Sequence, residues 1–209
     1  MKKVLSLLIW AVIIVLGYFV VDSPMEQLRF DKEKEKREAA VIQNLIDIRT
    51  AQVKYKEKYN TFTAGFDTLI NFVKTDSLPK VLKEGYLTDS MIEAGMTEEK
   101  AIKLGIIIRD TTYVPALIEI FGKNYPIDEL ANIPYTDGKQ FEMGATIVRT
   151  GSNVPINVFE AKVPYEVYMH GLDKQEVENM RAKAFKFEKY PGLKVGSLTE
   201  ANNNAGNWE

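Results

Sequence analysis

One run of 18 residues, 4–21, constrains this chain most, because it carries no charge and is interrupted only by Ser6 and Gly17. About 18 apolar residues is the lower limit for a helix that spans a bilayer. The residues around Gly17 are large, whereas a signal peptidase needs small residues before its cleavage site. We therefore expect an uncleaved transmembrane anchor at residues 4–21, preceded by a short basic end at residues 1–3.

The charges beside this run bear on which side of the membrane the rest of the chain lies. Five basic residues between positions 29 and 37 outnumber Lys2 and Lys3, so a bare count would place the C-terminal side in the cytoplasm. Residues 22–26 carry no basic side chain, however, and long trailing domains are translocated largely regardless of charge. We expect a single-pass protein of the cell inner membrane with its domain outside the cytoplasm.

Composition excludes several function classes. The formal net charge is −2, and removing Lys2 and Lys3 leaves −4 for the rest, which argues against a nucleic-acid-binding module. With no cysteine, the chain cannot form disulfides, thiolate zinc sites or cysteine nucleophiles. The single histidine, His170, has no nucleophile motif beside it, and the sequence contains no phosphate-binding loop or His-Glu-x-x-His helix. We expect a protein that is not an enzyme and needs no cofactor.

The residues after the anchor predict one long helix that ends near residue 58. Residues 31–38 place acids and bases on every face, so residues 22–40 are predicted to form a charged helical stalk that buries no face. From residue 38 onward the pattern changes, and Val41, Leu45 and Ile48 begin an apolar stripe along one side. The stripe predicts that this part of the helix packs on the sheet of an α+β domain at residues 41–209.

The rest of the domain is expected to combine short helices with an antiparallel sheet. Helices are predicted at residues 66–74, 88–95, 97–105 and 173–185, from their capping residues and closing glycines. Asp137-Gly138 and residues 151–153 are turn signals. Strands are predicted at residues 106–109, 112–114, 140–143, 145–149, 156–160 and 193–195. Short hairpin-linked strands after a long helix indicate an α+β fold.

This order of parts resembles the pilin-like fold of type IV pilins and type II secretion pseudopilins. Residues 51–62, which run from Ala-Gln-Val-Lys-Tyr to Tyr-Asn-Thr-Phe, are similar to the end of the pseudopilin helix. Residues 133–138, followed by Phe141, stand where those proteins carry an Asp-Pro-Trp-Gly-type turn into their sheet. The resemblance implies a structural or scaffolding component of an envelope or secretion assembly, with the membrane and the proteins of that assembly as partners.

The N-terminal end departs from the family pattern. Those proteins are cut before an aromatic residue that precedes the apolar run, with a Glu four residues further on, whereas only Met-Lys-Lys precedes the run here. Pro24 and the charged residues 31–38 are also unsuited to the continuous apolar packing of a pilus. The sequence therefore indicates a pilin-like domain on a fixed anchor rather than a polymerising subunit.

Two alternatives stay open. The chain could be a membrane-tethered module that binds a small ligand or peptide, which requires a concave, partly apolar pocket. The C-terminal segment could also bind calcium, as major pseudopilins do near their C-terminus, because it offers oxygen ligands of the kind calcium accepts. These candidate ligands are Glu200, Asn202, Asn203, Asn204 and Glu209. The other interpretation of the same segment is a loose polar tail closed by Trp208.

Overall fold

A computed structural model describes the backbone of residues 2–149 and 151–209, and the side chains of residues 10, 25–149 and 151–209. The first helix, α1, is Lys2–Tyr59. Among the residues described in this way, no helix is long and apolar enough to cross a membrane. The anchor expected at residues 4–21 falls outside the described side chains, apart from Trp10, and stays a prediction.

The remaining elements are short helices and antiparallel strands. In chain order they are α2 Phe66–Thr75, β1 Ser77–Glu84, α3 Asp89–Glu93, α4 Glu98–Lys103, β2 Ile108–Pro115, α5 Ala116–Ile120, a 3₁₀ turn Ile127–Glu129, β3 Glu142–Arg149, β4 Pro155–Pro164, α6 Tyr165–Tyr168, α7 Lys174–Lys186 and β5 Gly192–Gly196. This confirms an α+β fold with a long N-terminal helix and antiparallel sheets. The chain divides into two compact units, unit 1 (residues 1–48 and 131–209) and unit 2 (residues 49–130).

Unit 1 is built around a three-stranded sheet in the order β3-β4-β5. Strands β3 and β4 form a hairpin whose register runs from Glu142 opposite Lys162 to Arg149 opposite Pro155, and its turn includes the predicted residues 151–153. Strand β4 is central and carries buried side chains, which are Val158, Phe159, Ala161 and Val163. Val41, Leu45 and Ile48 of α1 are fully buried. The predicted burial of these three residues is therefore confirmed, whereas their packing on the sheet stays a prediction.

The charged residues 31–38 do not stand clear of unit 1, and the prediction that they bury no face was wrong. Arg37 Nη1 donates hydrogen bonds to the main-chain oxygens of Tyr168, at 3.1 Å, and His170, at 2.8 Å. The Arg37 side chain is only 14% exposed. A guanidinium group presents five donors in a planar fork, so it can be buried where carbonyl oxygens accept from it. The predicted boundaries at residues 22–40 and 41–209 stay predictions.

The Asp137-Gly138 turn reverses the chain without joining two strands. A single antiparallel bridge pairs Asn132 with Gln140, and the Ile133 N–H donates to the Lys139 carbonyl at 2.8 Å. Gly138 has φ +74°, a conformation that glycine adopts at little cost. The hairpin signal in the sequence therefore marks a loop that leads into β3.

Unit 2 contains the end of α1, helix α2 and the two-stranded ribbon of β1 and β2. Leu69, Phe72 and Val73 of α2 are buried. The ribbon pairs Ser77 with Pro115 at one end and Glu84 with Ile108 at the other. The two strands predicted at residues 106–109 and 112–114 are one continuous strand, and β1 was not predicted.

Candidate functional site

The first candidate surface is the ribbon of β1 and β2 in unit 2. Leu78 is the one buried residue of its two strands. The exposed side chains include Val81, Leu82, Ile108 and Tyr113, of which Tyr113 is 72% exposed. The register places Val81 and Tyr113 on one face of the ribbon and Leu82 and Ile108 on the other, so each face carries two exposed apolar side chains. An isolated two-stranded ribbon is at best marginally stable in water. The ribbon is therefore a surface that a partner could cover.

Two salt bridges from Glu98 join α4 to the end of the ribbon where Lys83 pairs with Arg109. Glu98 Oε1 lies 2.6 Å from Lys83 Nζ on β1 and 2.7 Å from Arg109 Nη2 on β2. Hydrogen bonds from Lys83 and Arg109 hold the pKa of the Glu98 carboxyl below its ordinary value. The Thr97 hydroxyl accepts a hydrogen bond from the Lys100 N–H, as predicted for the start of this helix. One carboxylate therefore ties α4 to both strands.

A groove of about 570 Å³ lies at the end of the ribbon where Ser77 pairs with Pro115. It is lined by Lys54, Glu57, Lys58, Ser77, Leu78, Pro79, Tyr113 and Glu119. Its charged groups pair within unit 2, because Lys54 Nζ lies 2.8 Å from Glu57 Oε2 and Lys58 Nζ lies 3.0 Å from Asp76 Oδ2. Pro79 and Tyr113 of the ribbon form part of the groove lining, so the apolar part of the groove borders the exposed ribbon.

The second candidate site is a cavity of about 460 Å³ in unit 1. Residues of α1, α6, α7 and the segment after α7 line it, together with one residue of the C-terminal segment. They are Lys34, Glu38, Tyr165, Met180, Lys183, Ala184, Phe187, Lys189, Tyr190 and Asn207. The volume falls within the range of small-molecule sites, and the lining combines apolar, aromatic and charged groups.

Three half-buried titratable residues line this cavity, Glu38, Tyr165 and Tyr190. Burial raises the pKa of the Glu38 carboxyl, against the opposing effect of the nearby Lys34 charge. Burial raises the pKa of the Tyr190 hydroxyl to about 12 and also raises the pKa of the Tyr165 hydroxyl. Within the described part of the chain, the buried hydroxyl of Tyr168 has no hydrogen-bond partner. Burial, and then the charges of Glu38, Tyr165 and Tyr190, raise the pKa of the Tyr168 hydroxyl. Tyr168 does not line the cavity, but its ring lies 6.2 Å from the ring of Tyr165, which does.

The candidate calcium ligands lie in a segment that is fastened to β5 and is not the loose tail expected from the sequence. The Asn207 N–H donates to the Lys194 carbonyl at 3.0 Å, and Asn207 Nδ2 donates to the Gly192 carbonyl at 2.9 Å. Gly196, at the end of β5, allows the close approach of β5 to β4, because it has φ +74° and a Cβ there would lie 2.1 Å from the Phe159 oxygen.

The side chains of the candidate ligands are placed differently from one another. Glu200 is exposed, Asn202 Nδ2 donates to the Ala205 carbonyl at 3.3 Å, and Asn203 and Asn204 have φ near +55°. Among the described residues, no three carboxylate or histidine side chains are grouped so that they could hold a metal ion. That finding does not test a site built largely from asparagine oxygens, and calcium binding through Glu200, Asn202, Asn203, Asn204 and Glu209 stays a prediction.

His170 lies in the exposed turn after α6. Its main-chain oxygen accepts the hydrogen bond from Arg37. This places the residue in the contact between α1 and that turn. The expectation that the chain is not an enzyme remains a prediction.

Comparisons with known proteins add no identification: no protein family, no curated protein and no solved structure matches this chain. The resemblance to pilins and pseudopilins therefore stays a hypothesis based on the order of the elements and two short passages.

The cavity of unit 1 was not predicted, although the sequence contains one signal for it. Lys34 and Glu38 precede Val41, Leu45 and Ile48 with the same alternation of four and three residues. They therefore lie on the face of α1 that packs inward. Extending the stripe through charged residues would have identified Glu38 as a half-buried acid. The contribution of Tyr165, Tyr168 and Tyr190 has no comparable local signal.

Proposed function

We propose that this chain is a membrane-anchored, pilin-like structural or scaffolding component of an envelope or secretion assembly, with its two units outside the cytoplasm. The apolar run at residues 4–21 supports the anchor. The long N-terminal helix and the antiparallel sheets are compatible with a pilin-like arrangement. The observation that carries the scaffolding role is the ribbon of β1 and β2, whose apolar side chains are exposed. This ribbon, residues 77–84 and 108–115, is called the arm below, and its role is to bind a partner protein.

The outer edge of β2 is the edge to which the partner adds an extended strand. Pro79 in β1 lacks an N–H and so interrupts any ladder along the β1 edge. Strand β2 has no proline before Pro115 and consists largely of β-branched and aromatic residues, which favour strand pairing. Addition of a strand to an exposed sheet edge is a common mode of peptide recognition. A third strand would also stabilise a ribbon that buries little of its own surface.

Site-specific photo-crosslinking in intact membranes tests this proposal. A photoreactive amino acid replaces Tyr113 in the full chain, and a matched control carries it at Ile147, an exposed residue of β3 in unit 1. We expect a defined protein adduct from position 113 and none from position 147. Val81→Lys, on the same face of the ribbon as position 113, should abolish the adduct, whereas Ile147→Lys should leave it unchanged.

Two outcomes bear on the proposal differently. An adduct to a second copy of this chain would make the arm a self-assembly surface within the same scaffolding role. No adduct from position 113, or equal adducts from both positions, would contradict the proposed arm.

A further inference from the structure

The cavity of unit 1 has the chemical features of a ligand site, and its role does not depend on the ribbon. Its lining carries one acid, Glu38, and three basic residues, Lys34, Lys183 and Lys189. Apolar and aromatic side chains supply the rest of the wall, chiefly Tyr165, Met180, Phe187 and Tyr190. A ligand that fits this lining has a cationic group, an anionic group and an apolar body.

Glu38 is the group that a cation would contact. Its carboxyl lies on the inward face of α1, half-buried, in a position where burial opposes its charged form. Ammonium groups bind where a carboxylate and the faces of aromatic rings come together, and Tyr165 and Tyr190 line the same cavity as Glu38. An ammonium group at this position would compensate the desolvation of the carboxylate.

The buried Tyr168 hydroxyl lies beside this cavity but does not line it. Tyr168 is fully buried, and no described residue hydrogen-bonds its hydroxyl. Its ring lies 6.2 Å from the ring of Tyr165, which is a lining residue. A ligand in the cavity therefore meets the rings of Tyr165 and Tyr190 and not this hydroxyl.

The basic residues decide between classes of cation. Lys183 and Lys189 are exposed residues at or just beyond the end of α7, and they line the cavity with Lys34. Three lysines would repel a polyamine, whereas they would attract a carboxylate on the same ligand. A simple anion such as phosphate is disfavoured for the opposite reason, because it would face Glu38. We infer that this cavity binds a zwitterionic amino acid with an apolar side chain, its ammonium group at Glu38 and its carboxylate toward the lysines.

Calorimetric titration of the full-length chain in detergent micelles tests the inference, with L-phenylalanine and L-leucine as probes. Phenethylamine, which lacks the carboxylate, and 3-phenylpropionate, which lacks the ammonium, are the comparison compounds. We expect saturable binding of at least one amino acid, weaker binding of phenethylamine and none of 3-phenylpropionate. Absence of saturable binding by both amino acids, or equal binding of phenethylamine and phenylalanine, would overturn the assignment.

Substitutions separate ligand binding from a structural role. Glu38→Gln should weaken binding of the amino acid about tenfold or more, whereas Glu35→Gln, an exposed acid three residues earlier on α1, should not. Tyr168→Phe changes a neighbouring residue that does not line the cavity, so it should leave the affinity for the amino acid unchanged. Unchanged affinity in Glu38→Gln would refute the inference.

Discussion

The side chain of Arg37 provides the sharpest test of how α1 is held in unit 1. Its guanidinium group donates to the Tyr168 and His170 carbonyls, and Nε lies 3.2 Å from Glu33 Oε1. The same group lies 5.3 Å from the centre of the Tyr135 ring. Substitution by alanine removes these contacts and leaves two main-chain oxygens to be solvated again. Arg37→Ala should therefore lower the free energy of unfolding by a measurable amount.

The magnitude follows from the environment of each contact. A hydrogen bond to a charged group contributes about 1.5–3 kcal/mol when desolvated, but the bond to His170 is exposed and the pair with Glu33 is a partly exposed helix pair. Counting the Tyr168 contact in full and the others at a fraction gives a loss of about 2–4 kcal/mol. Arg37→Lys should recover only part of it, because an ammonium group cannot contact two carbonyls in the planar geometry of a guanidinium.

Urea unfolding of the full chain in detergent micelles, followed by far-ultraviolet circular dichroism, measures this loss. Lys32→Ala is the matched control, since Lys32 is an exposed cation on the same helix and should cost less than about 0.5 kcal/mol. Hydrogen exchange of residues 165–172 should accelerate in Arg37→Ala and not in the control. A loss below about 0.5 kcal/mol for Arg37→Ala would mean that residues 31–38 are a solvated spacer, as the sequence alone predicted.

Three further predictions concern the core, the ribbon and the anchor. Leu45→Ala should lower the free energy of unfolding by about 2–5 kcal/mol in the same assay, because Leu45 is fully buried, and a loss below 0.5 kcal/mol would place it outside the core. The pKa of the Glu98 carboxyl is lowered from its ordinary value of 4.5 in the folded protein. The ionised carboxylate therefore stabilises the fold at pH values above 4.5, and this stabilisation is lost as the pH falls through the lowered pKa. Protection of residues 98–103 from hydrogen exchange, corrected for intrinsic rates, should therefore fall in acid, and Glu98→Gln should remove both the protection and its pH dependence. The protein should stay in the membrane fraction after a carbonate wash and keep Met1 or Lys2 by mass spectrometry; release of the full domain would exclude the anchor at residues 4–21.

Patterns confined to one helix allowed accurate prediction from the sequence. The buried stripe of α1 follows from helical spacing, and α7 begins where expected because Asp173 Oδ1 accepts the Glu176 N–H at 2.9 Å. Gly95 and Gly105, which were expected to end α3 and α4, have φ of +72° and +71°. Each of these features depends on residues within two turns of each other, so the local sequence determines them.

Features that depend on distant residues were missed or misread. Strand β1 contains Pro79 and no clear alternation, and its pairing with β2 brings together residues up to 38 positions apart, Ser77 with Pro115. Two strands were predicted at residues 140–143 and 145–149, whereas β3 runs through Gly144 without a break. A Cβ on Gly144 would lie 3.0 Å from the Leu198 side chain, so the glycine allows a close contact with a residue that is distant in the sequence. The cavity of unit 1 combines α1 with residues more than 120 positions later. Nothing in a single window of sequence can reveal such a site.

The predicted anchor and the buried part of α1 are separated by fewer residues than the charge pattern suggests. Phe30 is buried, and Arg37 is bound to the turn after α6, so the buried part of α1 begins at residue 30. Only residues 22–29 lie between the predicted anchor and Phe30, which corresponds to about 12 Å of helix. A spacer role is therefore expected of these eight residues and not of residues 31–38.

Deleting residues 31–38 would not test that function cleanly. It removes Arg37 and Glu38, and a deletion of eight residues turns the apolar stripe by about 80° relative to the anchor, since each residue contributes about 100°. Deleting residues 23–29 instead removes seven residues, about two turns, so the stripe moves by only about 20° while the buried part of α1 moves about 10 Å closer to the predicted anchor. We expect this variant to keep the urea stability of the full chain and its place in the membrane fraction, but to lose the crosslink from position 113. If the crosslink persists, the distance from the membrane is not what allows the arm to reach its partner.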